Sequence, residues 1–218
     1  MEEQPTRAPF DVIGERYEAS FTQRTAQLAA GQWIIEQTSG HGRVLDLGCG
    51  AGWPTAMQLA NTGLDVVGID ESEHMLRVAA ERVPSGDFRQ ADLRALPDDV
   101  GRFDAVVAFF SLLMLPRADI VGVLDSVRRV LRSGGMFVLS MVEGDLDDVE
   151  IDFCGMRIPV SAYPRDELSR LLTGAGYVVH ALDAEQAERE PGITETQLYI
   201  RTTTKGHATL TNMQPVQL

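Results

Sequence analysis

An α/β fold, with a mostly parallel sheet and helices on both faces, is what the sequence predicts, and three observations carry the prediction. Short apolar runs of strand length alternate with segments of helical periodicity along most of the chain. The first such run, "RVLDL" (43–47), opens directly into a glycine-rich turn, "GCGAG" (48–52), the place where open α/β sheets bind their ligands. The length, 218 residues, suits one large domain of this kind and is short for two.

The elements follow in order. "TQRTAQLAAGQWIIEQ" (22–37) carries Ala26, Ala29, Ala30, Trp33 and Ile34 at helical spacing. After "RVLDL" and the turn, "WPTAMQLANTG" has Pro54 near its start and Gly63 at its end, the punctuation of a helix. "LDVVGID" (64–70) is the second strand, and "SEHMLRVAAERV" (72–83) the next helix, with Ser72 as N-cap. "DFRQAD" (87–92) is a weaker strand and "FDAVVAFF" (103–110) a strong one. "ADIVGVLDSVRRVLRSGG" (118–135) is the clearest helix, with Ile120, Val123, Leu124, Val127, Val130 and Leu131 at three- and four-residue steps and Gly134–Gly135 ending it. "MFVLSMV" (136–142), the helical "PRDELSRLLTGAG", and the strands "YVVHALD" and "TQLYIRTT" complete the sheet. One segment, 143–164, breaks the alternation: an acidic stretch, then two short extended pieces around Gly155, read as an insertion over the carboxyl ends of the strands. The expected organisation is a single domain over 10–203, with 1–9 and 205–218 as flexible ends.

Composition narrows the function. Hydrophobic residues at 44% and charged residues at 23% are those of a soluble globular protein. With no apolar run of membrane length and an acidic, polar start, the chain is read as cytoplasmic. A net charge of −13 repels polyanions, so nucleic acid and anionic membranes are poor partners. Cys49 and Cys154 lack a metal-ligand spacing, and His41, His74, His180 and His207 form no ligand pattern, so no metal site is expected.

The glycine turn poses the question of which nucleotide it serves. No Gly-Lys-Ser/Thr follows, which excludes a P-loop. Gly48, Gly50 and Gly52 give G-x-G-x-G, but Trp53 stands where the dinucleotide fingerprint has its third glycine. Asp70, at the end of the second strand, can accept from a ribose hydroxyl in either reading. Asp46 discriminates: a carboxylate at the lip of the turn opposes a pyrophosphate and favours a cation. S-adenosylmethionine has an ammonium, a sulfonium and no phosphate, and its carboxylate can use amides near the next helix start. Asp92 in "QADL", at the end of the third strand, lies beside the adenine in such a fold, its carboxylate facing the exocyclic amine and the neighbouring Leu93 amide a ring nitrogen.

With these residues in view the chain resembles the class I S-adenosylmethionine-dependent methyltransferases, and within them the small bacterial enzymes acting on small molecules. The matching pieces are "VLDLGCGAG", "VVGIDESEHML", "FRQADL", "FDAVVAFFSLLMLPR", "VLRSGGMFVLSMVEG" and "YPRDELSRLLTGAGYVV", spread over 10–203. The resemblance implies a Rossmann-like three-layer sandwich whose seven strands run 3-2-1-4-5-7-6, the last antiparallel. It carries cofactor roles onto Asp46, Gly48 and Gly50 for the methionine portion, Asp70 for the ribose hydroxyls, Met75 against the adenine, Asp92 and Leu93 at the adenine edge, and Phe109 through its backbone, with Cys49 and Glu71 also among the cofactor-binding residues. "FDVIGERY" (10–17) resembles the family's N-terminal segment, with Tyr17 closing over the cofactor. Met75 and Tyr17 also fit as packing residues. Two positions depart from the pattern: Met114 stands where His often follows "SLL", and Ser133 where Pro is usual.

The implied activity is methyl transfer from S-adenosylmethionine to the oxygen, nitrogen or carbon of a small molecule, an in-line displacement that rests on alignment and exclusion of water. A general base is required only for a protonated acceptor, and the sequence offers none that compels; Tyr17, Ser111 and Tyr163 are the candidates. Phe110, Met114, Phe153 and Met156 are expected to line an apolar substrate pocket. The acids at 143–152 read either as a solvated loop or as a lid that attracts a cationic amine. Two other functions stay open: a non-methylating cyclisation or rearrangement on the same scaffold, and a non-catalytic partner subunit, the latter opposed by the intact set Asp46, Gly48, Gly50, Asp70 and Asp92. The quaternary state is expected to be a monomer or homodimer.

Overall fold

The computed structural model describes residues 24–190 and 192–205. The chain runs α1 (Thr25–Thr38), β1 (Arg43–Leu47), α2 (Thr55–Ala60), β2 (Asp65–Asp70), α3 (Glu73–Arg82), β3 (Asp87–Gln90), β4 (Phe103–Phe109), a 3-10 turn (Leu112–Met114), α4 (Arg117–Val130), β5 (Leu131–Val142), β6 (Leu146–Phe153), β7 (Met156–Ala162), α5 (Arg165–Gly174), β8 (Tyr177–Glu190) and β9 (Ile193–Thr204). Seven strands form one sheet in the order β3-β2-β1-β4-β5-β9-β8, and β6 and β7 form a separate pair. With the inserted pair set aside, this is the expected 3-2-1-4-5-7-6. β1 to β5 are parallel, while β9 runs antiparallel to both β5 and β8.

Strand alternation builds the two outer layers. Along β1, Val44 faces one side and Leu45 the other, and Val66/Val67, Val107/Val106 and Val138/Phe137 divide in the same way. One face packs on Ala30 and Ile34 of α1 and Ala56 and Leu59 of α2. The other packs on Ile120, Val123, Leu124 and Val127 of α4 and Leu168 and Leu172 of α5. Tyr177, fully buried on this second face, donates its hydroxyl to the Leu124 carbonyl at 2.8 Å.

Two boundaries differ from the sequence expectation. The helix expected over 118–135 stops at Val130, because Leu131 turns extended (φ −72°, ψ 142°) and pairs with Phe103 of β4. A register shift between Phe103 and Ala105 absorbs the residues around Gly134, which the periodicity had assigned to the helix end. The closing strands also run well past "YVVHALD" and "TQLYIRTT", pairing from Tyr177↔Thr204 out to Glu190↔Ile193 as one long ribbon.

The β6–β7 hairpin is the expected insertion, and one residue fastens it. The backbone N–H of Arg117, at the first residue of α4, donates to Asp147 Oδ1 at 2.9 Å, satisfying an amide that a helix start leaves without an intrahelical partner. The Arg117 guanidinium pairs with Asp145 at 2.8 Å, donates to the Ala162 carbonyl and lies 4.3 Å from the centre of the Tyr163 ring. Both feet of the hairpin are thus held at one point. Replacing Arg117 with Met is expected to speed amide hydrogen exchange across 146–162 while leaving β1 and β4 protected; uniform loss of protection, or none, would show that the hairpin is held otherwise.

Candidate active site

A cavity of ≈ 430 Å³ opens at the carboxyl ends of β1, β2 and β4. Its walls come from the start of α1, the glycine turn, the end of β2, Met75 of α3, Leu93 and Arg94 beyond β3, Phe109 to Ser111 at the end of β4, Met114 to Pro116, and Asp148 and Pro159 of the hairpin.

The turn after β1 is shaped by three positive-φ glycines, Gly48, Gly50 and Gly52. At Gly48 (φ 72°) an added Cβ would overlap the Ser111 side chain, whose hydroxyl donates to the Leu47 carbonyl at 2.6 Å. At Gly50 (φ 52°) the space where a Cβ would stand is clear of neighbours to 4 Å. Four of the turn's five amides are engaged within the protein: Gly48 N and Cys49 N donate to the Ile69 carbonyl at 2.7 and 3.0 Å, Gly50 N to Asp70 Oδ2 at 2.8 Å, and Gly52 N to the Cys49 carbonyl at 3.0 Å. A phosphate cradle needs such amides pointing at the ligand, so this turn is not built for a pyrophosphate.

Two carboxylates govern the charge of the site. Asp46 is 3% exposed, and its Oδ2 is buried with no hydrogen-bond partner. Burial first, and then the neighbouring Asp70, pushes its pKa up to about 7. A buried carboxylate oxygen left unsatisfied in a cavity wall is complementary to a cation donor. Asp70 spans the turn and the next helix, accepting from Gly50 N at 2.8 Å and Ser72 N at 2.9 Å. Ser72 caps α3 by accepting from Met75 N at 3.1 Å, which seats the buried Met75 in the cavity wall. Glu71 lies beside them, its carboxyl pushed up by burial and by the charge of Asp92. Cys49 is buried at the same lip, its thiol pushed up by desolvation and then by Asp46.

The remaining expected residues divide. Leu93, Phe109, Phe110, Ser111 and Met114 line the cavity. Asp92 does not; it lies two residues past β3, gripped by Arg94 through Nε at 2.9 Å and a second guanidinium nitrogen at 2.7 Å. That hydrogen bonding holds the Asp92 carboxyl below its ordinary range. Phe153 and Met156 pair with each other at the hairpin turn, where Phe153 is buried in the core and Met156 packs against it, so neither forms the pocket wall. Tyr163 is buried beneath Arg117, its phenol pushed up by desolvation, and is not in the wall either. Tyr17 falls outside the described residues. His41 lies in the loop before β1, against the Ser39 carbonyl, and His180 is bonded to Thr203 within the sheet. Among the described residues the lining holds no His and no Tyr, and no His, Cys, Asp and Glu group could hold a metal.

Sequence reasoning missed a polar chain on the opposite side of the turn. Arg24 donates to Gln27 Oε1 at 3.2 Å, and Gln27 Nε2 to Thr55 Oγ1 at 2.9 Å; all three are buried and all three line the cavity. The Arg24 guanidinium stands 5.1 Å from the centre of the Trp53 ring. Arg24 and Gln27 are three apart, hence on one helical side, but that this side meets the turn depends on how α1 packs. The cavity therefore offers an unsatisfied carboxylate and a buried guanidinium together. S-adenosylmethionine fits this donor set: its ammonium matches Asp46, its carboxylate a cation, and its adenosine the Asp70–Met75–Leu93 wall.

Comparison with known proteins agrees. A family model described as a methyltransferase domain matches residues 44–135, from β1 to the start of β5. "Methyltransferase GfsG" of Streptomyces halstedii is 33% identical over 171 residues, covering 72% of this chain and 60% of the relative, so the chain spans less than two thirds of that protein. Among solved structures, the "DhpI-SAH complex" superposes with a TM-score of 0.67 at 24% identity, covering 90% of this chain and 93% of the other. The "[4+2]-Cyclase SpnF" does so with a TM-score of 0.69 at 16% identity, covering 91% and 94%. These two likenesses speak for the fold. The family model and the curated methyltransferase relative support a class I S-adenosylmethionine-dependent methyltransferase.

Proposed function

We propose that this protein transfers the methyl group of S-adenosylmethionine to a small-molecule acceptor. The observation that carries the reading is the buried, unsatisfied Asp46 oxygen in the wall of a cavity whose turn has the amides of Gly48, Cys49, Gly50 and Gly52 already engaged. When bound there, the cofactor supplies a methyl group already activated on a positively charged sulfur. Asp46 holds the ammonium, Arg24 the carboxylate, and Asp70, at the end of β2 in the cavity wall, the ribose hydroxyls. Met75 and Leu93 enclose the adenine. Phe110, Met114, Leu115, Pro116 and Pro159 form an apolar wall that excludes water and orients the acceptor for in-line attack. Neither Ser111, which donates to Leu47 O, nor Tyr163 is arranged to take a proton.

A second reading, cyclisation or rearrangement of a bound substrate without methylation, is favoured by one observation: the described lining holds no His or Tyr to serve as a base. The likeness to SpnF is of fold and leaves that choice to experiment. Incubation with methyl-labelled cofactor and a small-molecule extract separates the two. Label appearing in a small product, matched by S-adenosylhomocysteine, is expected; substrate conversion with the label left on intact cofactor would assign the rearrangement.

The raised Asp46 pKa gives the binding a pH signature. Free Asp46 is protonated below about pH 7 and must lose that proton to pair with an ammonium. Calorimetric affinity for S-adenosylhomocysteine is therefore expected to rise from acid towards neutral pH, approaching about tenfold per unit below the pKa, and Asp46→Asn to bind weakly with no slope. In the ligand-free protein the sign is opposite. Because the folded pKa lies above the unfolded value of 3.8, this group favours the fold while protonated and works against it as pH rises through about 7. A slope that persists in Asp46→Asn would assign the titration to another group.

Asp70→Ala removes both the ribose acceptor and the tie between Gly50 and Ser72. It is expected to weaken S-adenosylhomocysteine binding by at least about tenfold, or ~1.4 kcal/mol; an unchanged dissociation constant would remove Asp70 from the site.

A further inference from the structure

The hairpin contributes Asp148 and Pro159 to the cavity lining, and the placement of Asp148, the titratable one, follows from a fault in the β6–β7 pairing. Leu146 pairs with Ala162 and Val149 with Val160, so Asp147 and Asp148 together oppose the single residue Ser161. This is a β-bulge, a device that re-aims side chains beside sites. Asp148 takes up the extra residue at φ 55°, a left-handed conformation that Asp tolerates better than most residues but Gly better still. Its amide donates to the buried Ser161 hydroxyl at 3.0 Å. The two adjacent acids are thereby put to different ends. Asp147 turns to the start of α4, where it accepts from Arg117 N, while Asp148, an exposed residue, belongs to the cavity lining together with Met114, Leu115, Pro116 and Pro159.

Three neighbouring acids are engaged elsewhere. Asp145 pairs with Arg117 at 2.8 Å, Glu150 lies 3.8 Å from Arg157, and Glu143 pairs with Arg165 at 2.6 Å. Among the described residues no ion pair or hydrogen bond involves the Asp148 carboxylate. The charges around it reinforce its preference. Asp46, Asp70 and Glu71 line the same cavity against the two guanidinium groups of Arg24 and Arg94, in a chain of net charge −13. A carboxylate set in an apolar rim accepts hydrogen bonds and attracts cations.

We propose that Asp148 is a specificity-determining residue that recognises the cationic amine of an otherwise apolar acceptor. The inference rests on reading the cavity as an S-adenosylmethionine site with its acceptor under the hairpin.

The test uses the full chain saturated with S-adenosylhomocysteine, whose own binding is measured first by calorimetry. Hexylamine, hexan-1-ol and hexanoate are then titrated near neutral pH by ligand-observed NMR. Hexylamine is expected to bind the wild type more tightly than hexanol, and hexanoate least. Asp148→Asn and Asp148→Gly are each expected to weaken hexylamine by about fivefold, to leave hexanol unchanged and to leave S-adenosylhomocysteine affinity as it was. Asp148→Gly also tests whether the residue is structural. Glycine fits φ 55°, so the melting temperature is expected to hold or rise while the amine preference disappears. Equal binding of the three probes to the wild type, a hexanoate preference, or an amine preference that survives both substitutions would overturn the proposal while leaving the cofactor site intact. Failure of S-adenosylhomocysteine to bind the wild type would overturn the cofactor reading, and this one with it.

Discussion

The site depends on a carboxylate that the fold buries and does not satisfy. Asp46 belongs to β1, the central strand from which the parallel sheet grows in both directions, and its side chain leaves the strand where the backbone turns away. Ionising it in place sets two carboxylates close together in a region of low dielectric. The fold accepts that arrangement because β1 and β2 must end at the same level for the glycine turn to close on the Ile69 carbonyl. The destabilisation is local and is relieved by a ligand carrying positive charge. The surrounding parts, Asp70 between two amides, Ser72 capping α3 and Ser111 filling the space beside Gly48, serve to hold that geometry still.

Much of this was legible in the sequence because it rests on short-range rules. Glycines at 48 and 50, acids at the ends of the first two strands and Ser72 three residues before Met75 each specify a local geometry that tertiary packing leaves in place. The strand order came with the family resemblance, while the apolar runs and helical spacings located the elements that it orders. The long β8–β9 ribbon was hidden because its outer half, "EQAERE", is charged, and its pairing comes from its partner strand, not from burial of an apolar face.

What was not legible depends on register and on direction. Phe153 and Met156 looked like pocket residues by type, but their pairing across the hairpin turn puts them in the core. The bulge that separates Asp147 from Asp148 is invisible in a run of acids, because nothing in "DLDDVEID" says which residue is surplus. Arg24 carries no motif, and its approach to the turn is decided by how α1 lies on the sheet. Asp92 reads as a strand-end acid, but it is paired with Arg94 two residues along, and of the two it is Arg94 that lines the cavity. Each miss comes from a contact between segments far apart in sequence, or from a competing neighbour.

The engaged amides of the glycine turn bear on the history open to this scaffold. A dinucleotide-binding turn and this one share a sheet, a position and two glycines, and they look separable by a few substitutions. A phosphate-binding turn aims its N–H groups at the ligand, whereas here those of Gly48, Cys49 and Gly50 are aimed at the carbonyl of Ile69 on the neighbouring strand and at Asp70. Exchanging Trp53 for glycine would leave those groups where they are. Conversion between the two cofactor classes therefore requires the end of β2 to be rebuilt together with the turn, which places a barrier between families whose motifs differ by little.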